Sequence, residues 1–141
     1  MSNPPFRILG IEHVGIAIDE SDISVTLFRN ILNIPNTGTE TISDQKVITD
    51  IFDTGQGKVE LLSALEESSP ISQFLEKRGP GMHHIAFRVD DIKAALAYCS
   101  QSGIRLIDEV PRRGAEGLFI AFLHPKSTGG VLVELCQHPQ D

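Results

Sequence analysis

Residues 11–19 read IEHVGIAID, and residues 82–90 read MHHIAFRVD. Each stretch places a histidine near the start of a run of apolar and β-branched residues, which is typical of a β-strand. Each run ends at an aspartate, and each is followed by residues with helical spacing. His84 lies 71 residues after His13. The sequence therefore indicates two copies of one structural unit.

Two glutamates support the repeat. Glu60 lies in KVELL and Glu134 lies in LVELC, 74 residues later. Side chains alternate across a strand, so each glutamate should face away from its apolar neighbours. A carboxylate within an apolar strand is costly unless it is paired or bound to a cation. Each copy thus carries one imidazole and one carboxylate, which together could bind a divalent metal ion.

Small residues next to the histidines favour a ligand site. His13 shares its strand face with Gly15, and His84 shares its face with Ala86, so both leave room for a ligand. His83 should point to the opposite face, and we do not expect it to bind metal. Two nitrogens and two oxygens suit Co, Ni, Zn, Mn or Fe(II). The predicted metal ligands are His13, Glu60, His84 and Glu134.

The order of the elements predicts an α+β fold. Each copy should form β-α-β-β-β, with a cupped mixed sheet around the metal site. Between the copies, residues 69–79 predict a short linker helix with Ser at the cap, Pro in the first turn and Gly past the end. We predict a single domain, 1–141, with module one at about 6–65 and module two at about 80–138.

The helices and later strands can be placed along each copy. The first helix should begin at Ser21 or Asp22, and the second should begin at Asp90 or Asp91 and end at Gly103. The first helix is predicted to carry Leu27, Phe28, Ile31 and Leu32 on one face. Strands are expected near 36–41, 46–52 and 58–63, and again near 104–108, 118–123 and 131–136.

Composition restricts the partners. The net charge of −7 over 141 residues argues against nucleic acid or an anionic membrane as the main partner. No apolar run approaches the ~18 residues of a membrane span. Cys99 and Cys136 lack metal-type spacing and are typical of free thiols in a reducing compartment. The first residues show no secretory pattern. We expect a cytoplasmic protein that binds a small molecule.

The chain resembles the vicinal oxygen chelate superfamily in its paired βαβββ pattern. Within that superfamily, residues 69–92, 103–115 and 122–135 are similar to the methylmalonyl-CoA epimerases. The resemblance implies interconversion of the two C2 epimers of an acyl-CoA substrate. It also implies that the metal chelates the thioester oxygen and the free carboxylate, which acidifies the C2 proton. One group then removes the proton on one face, and another returns it on the other face.

The resemblance leaves the second acid/base group open. The family's ligands correspond to the four residues named above, although some relatives have Gln at the position of Glu60. Some members carry a further glutamate on the preceding strand, where this chain has Thr49, with Asp50 one step away. We predict Glu134 as one acid/base group. Glu60 and Asp50 remain alternatives for the other.

Two loops are candidates for substrate contacts. Lys126 and Ser127 lie in HPKSTGG, where a cation and backbone N–H groups could receive the CoA phosphates or the substrate carboxylate. Arg113, before a glycine, is a further candidate. His124 and His138 are interpreted as structural or surface residues. A homodimer is expected by analogy with the family alone.

Three other functions fit parts of the pattern. A glyoxalase I-type lactoylglutathione lyase uses the same ligand set, but the HPKSTGG ending differs from the corresponding turn of those enzymes. A non-haem Fe(II) dioxygenase needs two histidines and a single carboxylate, so Glu60 argues against it. A sequestering protein on this fold would typically lack the full ligand set.

Overall fold

The computed structural model describes residues 3–19 and 21–141. Within this part of the chain, no helix is both long and apolar enough to cross a membrane. The regular elements follow in chain order. They are β1 (Ile8–Ala17), α1 (Ser21–Val25), β2 (Asn36–Ile42), β3 (Val47–Asp53), β4 (Lys58–Ala64), α2 (Pro70–Arg78), β5 (Gly81–Val89), α3 (Ile92–Gln101), β6 (Arg112–Arg113), β7 (Phe119–Leu123) and β8 (Val133–Gln137).

The chain divides into two compact units. The central unit is His13–His83, and the terminal unit combines the chain up to Glu12 with His84–Asp141. Because the divisions fall inside strands, β1 and β5 each contribute residues to both units.

The central unit contains a mixed sheet in the order β2-β3-β4-β1. β1 runs parallel to β4, whereas β4 and β3, and β3 and β2, pair antiparallel. On one face, Leu61 and Phe52 pack with Val25 and Phe28 of the helical segment after β1. Since side chains alternate along β4, Glu60 lies on the opposite face.

The terminal unit repeats this arrangement in the order β5-β8-β7-β6. β5 runs parallel to β8, and the remaining neighbours pair antiparallel. Helix α3 buries its apolar side, including Leu96, against Leu123 and Leu135. Each such fully buried leucine contributes about 2 kcal/mol of hydrophobic stabilisation. Glu134 precedes Leu135 and therefore faces away from α3.

The two units confirm the predicted α+β fold with two βαβββ copies. In each copy the first strand pairs parallel with the fourth, the fourth pairs antiparallel with the third, and the third pairs with the second. The weak strand predicted near 36–41 is present as β2.

The predicted helix ends of α2 and α3 are also confirmed. The Ser69 hydroxyl accepts a hydrogen bond from the N–H of Ile71, and Pro70 occupies the first turn of α2. The Asp91 carboxylate accepts from the N–H of Ala94 at 3.0 Å, which satisfies one of the free N–H groups of the first turn of α3. Gly103 follows α3 with a left-handed φ of 87°.

The first helix differs from the prediction. α1 is followed by a π-helical segment, Thr26–Ile31, in which the N–H of Leu32 donates to the carbonyl of Leu27. The wider turn shifts the side chains away from the 3.6-residue spacing. Phe28 packs in the core, but Leu27, Ile31 and Leu32 are exposed. The helix predicted here is therefore present but partly π-helical, and of the four apolar residues predicted on one face only Phe28 packs in the core.

The strand predicted near 104–108 was also wrong. This segment makes only an isolated bridge between Leu106 and Leu123. The Asp108 carboxylate accepts from the N–H of Phe122 at 2.9 Å, so a side chain takes the place of a ladder hydrogen bond. The edge strand forms later, at β6.

Candidate metal and catalytic site

His13 and Glu60 form a buried pair in the central unit. Gly15 lies beside Glu60 across the parallel β1–β4 ladder, and His13 stands two residues earlier on the same face. The Nδ1 atom of His13 lies 3.3 Å from an Oε atom of Glu60. Both residues are 4% exposed. Gly15 has no side chain, which leaves space beside Glu60 for the imidazole of His13.

His84 and Glu134 form the matching pair in the terminal unit. Ala86 lies beside Glu134 across the parallel β5–β8 ladder, and His84 again stands two residues earlier. The Nε2 atom of His84 lies 3.3 Å from an Oε atom of Glu134. The exposed fractions are 7% and 4%. The same local geometry therefore occurs once in each copy of the repeat.

These pairs have the chemistry of metal ligands. Each offers one imidazole nitrogen and one carboxylate oxygen within contact distance, in a water-poor environment. Ionised carboxylates at such burial need a cation or hydrogen-bond donors nearby. A borderline divalent ion prefers mixed nitrogen and oxygen ligands. The residues present thus fit the metal that the sequence predicts.

His83 is separate from the pair formed by its neighbour. Its ring packs edge-to-face against Phe74 of α2, with 5.0 Å between the ring centres. Burial, helped by the charge of Arg78, lowers the pKa of His83 to about 4. The imidazole is therefore neutral at pH 7 where it packs against α2, and the expectation that it turns away from His84 is confirmed.

Asp50 lies on the face of β3 opposite to the Glu60 face. Its strand partner on β4 is Leu61, whereas Glu60 is paired with Ile51. One Asp50 carboxylate oxygen accepts hydrogen bonds from Asn36 Nδ2 and from Thr39 Oγ1, both at 2.8 Å. The carboxylate is thus engaged with β2.

Two further carboxylates were missed by the sequence analysis. Glu40 of β2 pairs with Thr49, which shares the face of Glu60, and Glu40 is half-buried. Glu12 is 7% exposed, and an Oε atom lies 3.1 Å from His138 Nε2. The available signal for Glu12 was a charged residue within the apolar strand that carries His13.

The three residues predicted to contact substrate differ in how far they already interact within the protein. Lys126 is exposed, and its backbone N–H donates to the Nδ1 atom of His124. The Ser127 hydroxyl accepts from the N–H of Arg105 at 2.9 Å. The Arg113 guanidinium lies 4.0 Å from the centre of the Phe119 ring and donates to a carbonyl of its own loop. Lys126 and Arg113 are both exposed, but the Arg113 guanidinium already contacts Phe119 and a loop carbonyl.

An apolar cluster surrounds the carboxylate of the terminal pair. Phe122 is the antiparallel partner of Glu134, and its ring meets the His84 imidazole edge-to-face, with 5.5 Å between centres. The cluster on this side of the sheet consists of Ala86, Leu118, Ile120, Cys136 and Phe122. The first four of these residues are buried, so Phe122 is the member of the cluster that remains accessible to a ligand.

Comparison with known proteins identifies the family. A profile of the Glyoxalase/Bleomycin resistance protein/Dioxygenase superfamily matches residues 12–122. Human mitochondrial methylmalonyl-CoA epimerase is 38% identical over 128 residues, which cover 90% of this chain and 73% of the human protein. The chain belongs to the methylmalonyl-CoA epimerase family of this superfamily.

Bacterial members of the methylmalonyl-CoA epimerase family extend the match. The ethylmalonyl-CoA/methylmalonyl-CoA epimerase of Cereibacter sphaeroides is 37% identical, covering 90% of this chain and 96% of the relative. A variant of Streptomyces coelicolor methylmalonyl-CoA epimerase, solved with 2-nitronate-propionyl-CoA, has a TM-score of 0.89 at 34% identity. That match covers 94% of this chain and 96% of the other. The predicted family, fold and isomerase class are thereby confirmed, and the relatives named here are epimerases rather than lyases.

Proposed function

We propose that this protein interconverts (R)- and (S)-methylmalonyl-CoA by moving a proton at C2. The observation that carries the proposal is the recurrence of one buried His/Glu pair at the same strand positions of both repeats. Epimerisation needs proton transfer on both faces of one carbon, and a duplicated unit supplies a carboxylate from each copy. Membership of the epimerase family supports this reaction over lactoylglutathione chemistry.

The two pairs together would hold one divalent metal ion. The proposed ligands are His13, Glu60, His84 and Glu134, and the metal is Co, Ni, Zn, Mn or Fe(II). Such an ion would act as a Lewis acid that stabilises the negative charge developing on the thioester oxygen when the C2 proton leaves. Each of the four side chains is buried, and low exposure to water strengthens the electrostatic interactions within each pair.

Glu134 and Glu60 are the proposed acid/base pair. One carboxylate would remove the C2 proton from one face, and the other, in its protonated form, would deliver a proton to the opposite face, with the two roles exchanged in the reverse direction. Glu60 is preferred to Asp50 because Asp50 faces the other side of β3 and accepts two hydrogen bonds from β2. Asp50 would then hold β2 against β3 rather than contact substrate.

The proposed contacts with CoA involve residues other than the buried His/Glu pairs. Lys126 is the preferred contact for a CoA phosphate because its charge is exposed. Ser127 and Arg113 are secondary candidates, since both already interact within the protein. We further propose a cytoplasmic homodimer, in line with two free cysteine thiols and the family assignment.

Proton NMR of the two epimers in D2O, with cobalt-loaded protein, tests the reaction. The expected result is exchange of the C2 proton for deuterium, together with loss of stereochemical purity. Glu134→Gln should abolish exchange.

Lys126→Gln should raise KM with little effect on kcat, whereas Lys77→Gln on the exposed side of α2 should change neither. If neither epimer exchanges above a protein-free control, the epimerase proposal fails, and the hemithioacetal of methylglyoxal and glutathione becomes the next substrate.

A further inference from the structure

Phe122 occupies a distinctive position next to the terminal His/Glu pair. Antiparallel strand partners share one face of a sheet, so the ring lies on the same side as Glu134. It also packs edge-to-face against the His84 imidazole, at an angle of 87°. Phe122 therefore touches one of the proposed metal ligands and is the cross-strand neighbour of another.

Phe122 is also more accessible than its neighbours. Glu134 and His84 are 4% and 7% exposed and Ala86 has no exposed surface, whereas Phe122 is only half-buried. An apolar ring that remains accessible beside buried polar groups is available for contact with an apolar part of a ligand.

The matching position in the central unit carries a smaller group. There the antiparallel partner of Glu60 is Ile51, which is 2% exposed. The two copies thus share the His/Glu geometry but differ in the group beside the carboxylate. The aromatic ring is a feature of the terminal copy, where it adds bulk next to Glu134, one of the two carboxylates proposed to act at C2.

We propose that Phe122 is a specificity-determining residue whose ring limits the size of the substituent at C2. The inference rests on the proposed function and specifies its substrate class. The methyl substituent of methylmalonyl-CoA would fit beside the ring, whereas the ethyl substituent of ethylmalonyl-CoA would clash with it. The comparison is chemically relevant because the Cereibacter sphaeroides relative is named for both ethylmalonyl-CoA and methylmalonyl-CoA.

The test compares kcat/KM for methylmalonyl-CoA and ethylmalonyl-CoA in cobalt-loaded protein. One additional methylene changes discrimination by about 10-fold to 200-fold when a pocket is tight. The wild type should therefore prefer the methyl substrate by at least about 10-fold. Phe122→Leu should raise the ethyl-to-methyl ratio by about 10-fold, because the shorter side chain opens space. Phe122→Met, which has a volume similar to leucine but an unbranched side chain that adapts to irregular space, provides a second variant if the first folds poorly.

Phe87→Leu is the matched control. Phe87 lies on the same strand as His84 but packs with the α3 side of the sheet, so its substitution should leave the substrate ratio unchanged. Cobalt content and the visible spectrum of the bound cobalt are measured for every variant, which separates a change in the pocket from a change in the metal site.

The outcomes are distinct. An increased ethyl-to-methyl ratio with unchanged cobalt content supports the inference. An unchanged ratio overturns it, and so does an equal fall for both substrates with an altered cobalt spectrum, since Phe122 would then act only by positioning His84. If the wild type exchanges neither substrate, the proposed function itself has failed. If the wild type exchanges both equally, the function stands and the inference fails.

Discussion

Asp50 lies directly across the β3–β4 ladder from Leu61, and the next residue, Ile51, lies across from Glu60. A shift of one residue moves a side chain to the other face of a sheet. Asp50 and Glu60 are therefore on opposite faces, although both are acidic residues of neighbouring strands. This relationship separates the two candidates for the second acid/base group.

Substitution of the two carboxylates should give different results. Glu60→Gln should slow C2 exchange at least about 100-fold for one epimer, since general acid–base catalysis contributes about 10²–10⁴-fold. Asp50→Asn should keep exchange within about 2-fold of the wild type. It should instead cost about 1–2 kcal/mol of unfolding free energy, because the hydrogen bonds from Asn36 and Thr39 lose their charged acceptor.

Exchange rates of both epimers and urea unfolding are the measurements. Full loss of exchange in stable Asp50→Asn would restore Asp50 as the base.

Replacement of the adjacent residues His83 and His84 should affect cobalt binding differently. His84→Ala should weaken cobalt binding by more than about 100-fold, which exceeds the usual effect of losing a group that only supports a ligand. His83→Ala should bind cobalt normally and lose about 0.5–1.5 kcal/mol of stability with the Phe74 ring contact. Cobalt titration of the apo-protein with thermal unfolding distinguishes the two. Equal cobalt affinity in both variants would contradict the assignment of His84.

Much of the fold could be predicted because the repeat appears twice. The strands at His13 and His84 and the glutamates after them support one another, and the register confirms their equivalence: Gly15 pairs with Glu60 as Ala86 pairs with Glu134. Capping residues also act locally, so Ser69 could be placed from sequence alone.

The sequence could not show features that depend on backbone geometry. The π-helical segment at Thr26–Ile31 changes which residues face the core, and no spacing rule for an α-helix anticipates it. The face of Asp50 required a known strand register. Glu12 and His138 are 126 residues apart, so their contact could not be inferred from a local pattern.

The ion pair between Arg88 and Asp141 should make a small, pH-dependent contribution to stability. Arg88 Nε donates to Asp141 Oδ2 at 2.9 Å, and the hydrogen bond from Arg88 holds the pKa of Asp141 below its ordinary value of 3.8. A depressed carboxyl pKa stabilises the folded state above pH 3.8, and this stabilisation is lost as the pH falls through the lower folded-state value.

Asp141→Asn should therefore cost less than about 1 kcal/mol at pH 7, because Arg88 is partly exposed and solvent screens the pair. The difference from the wild type should shrink in 1 M salt, where the screening length is about 3 Å, and as the pH falls below 3.8. Urea unfolding at both pH values measures it, with Glu76→Gln on the exposed side of α2 as the control. A difference that grows on acidification would contradict the stated role of Arg88.

Gly114 should be intolerant of a side chain because Ile120 fills the space beside it. A Cβ atom at Gly114 would lie 2.9 Å from Ile120 Cγ2 and 3.1 Å from its Cδ1. Ile120 is buried in the apolar cluster next to Glu134, so it cannot move freely. Gly114→Ala should cost about 1–3 kcal/mol, the usual effect of overpacking.

Ile120→Val in the same chain should recover part of this loss, since valine lacks Cδ1 but keeps Cγ2. Gly38→Ala, where a Cβ meets nothing within 4 Å, is the matched control and should be close to neutral. Thermal and urea unfolding of the four proteins measure these effects. Equal stability of Gly114→Ala and Gly38→Ala would show that the loop before β7 adapts instead of straining Ile120.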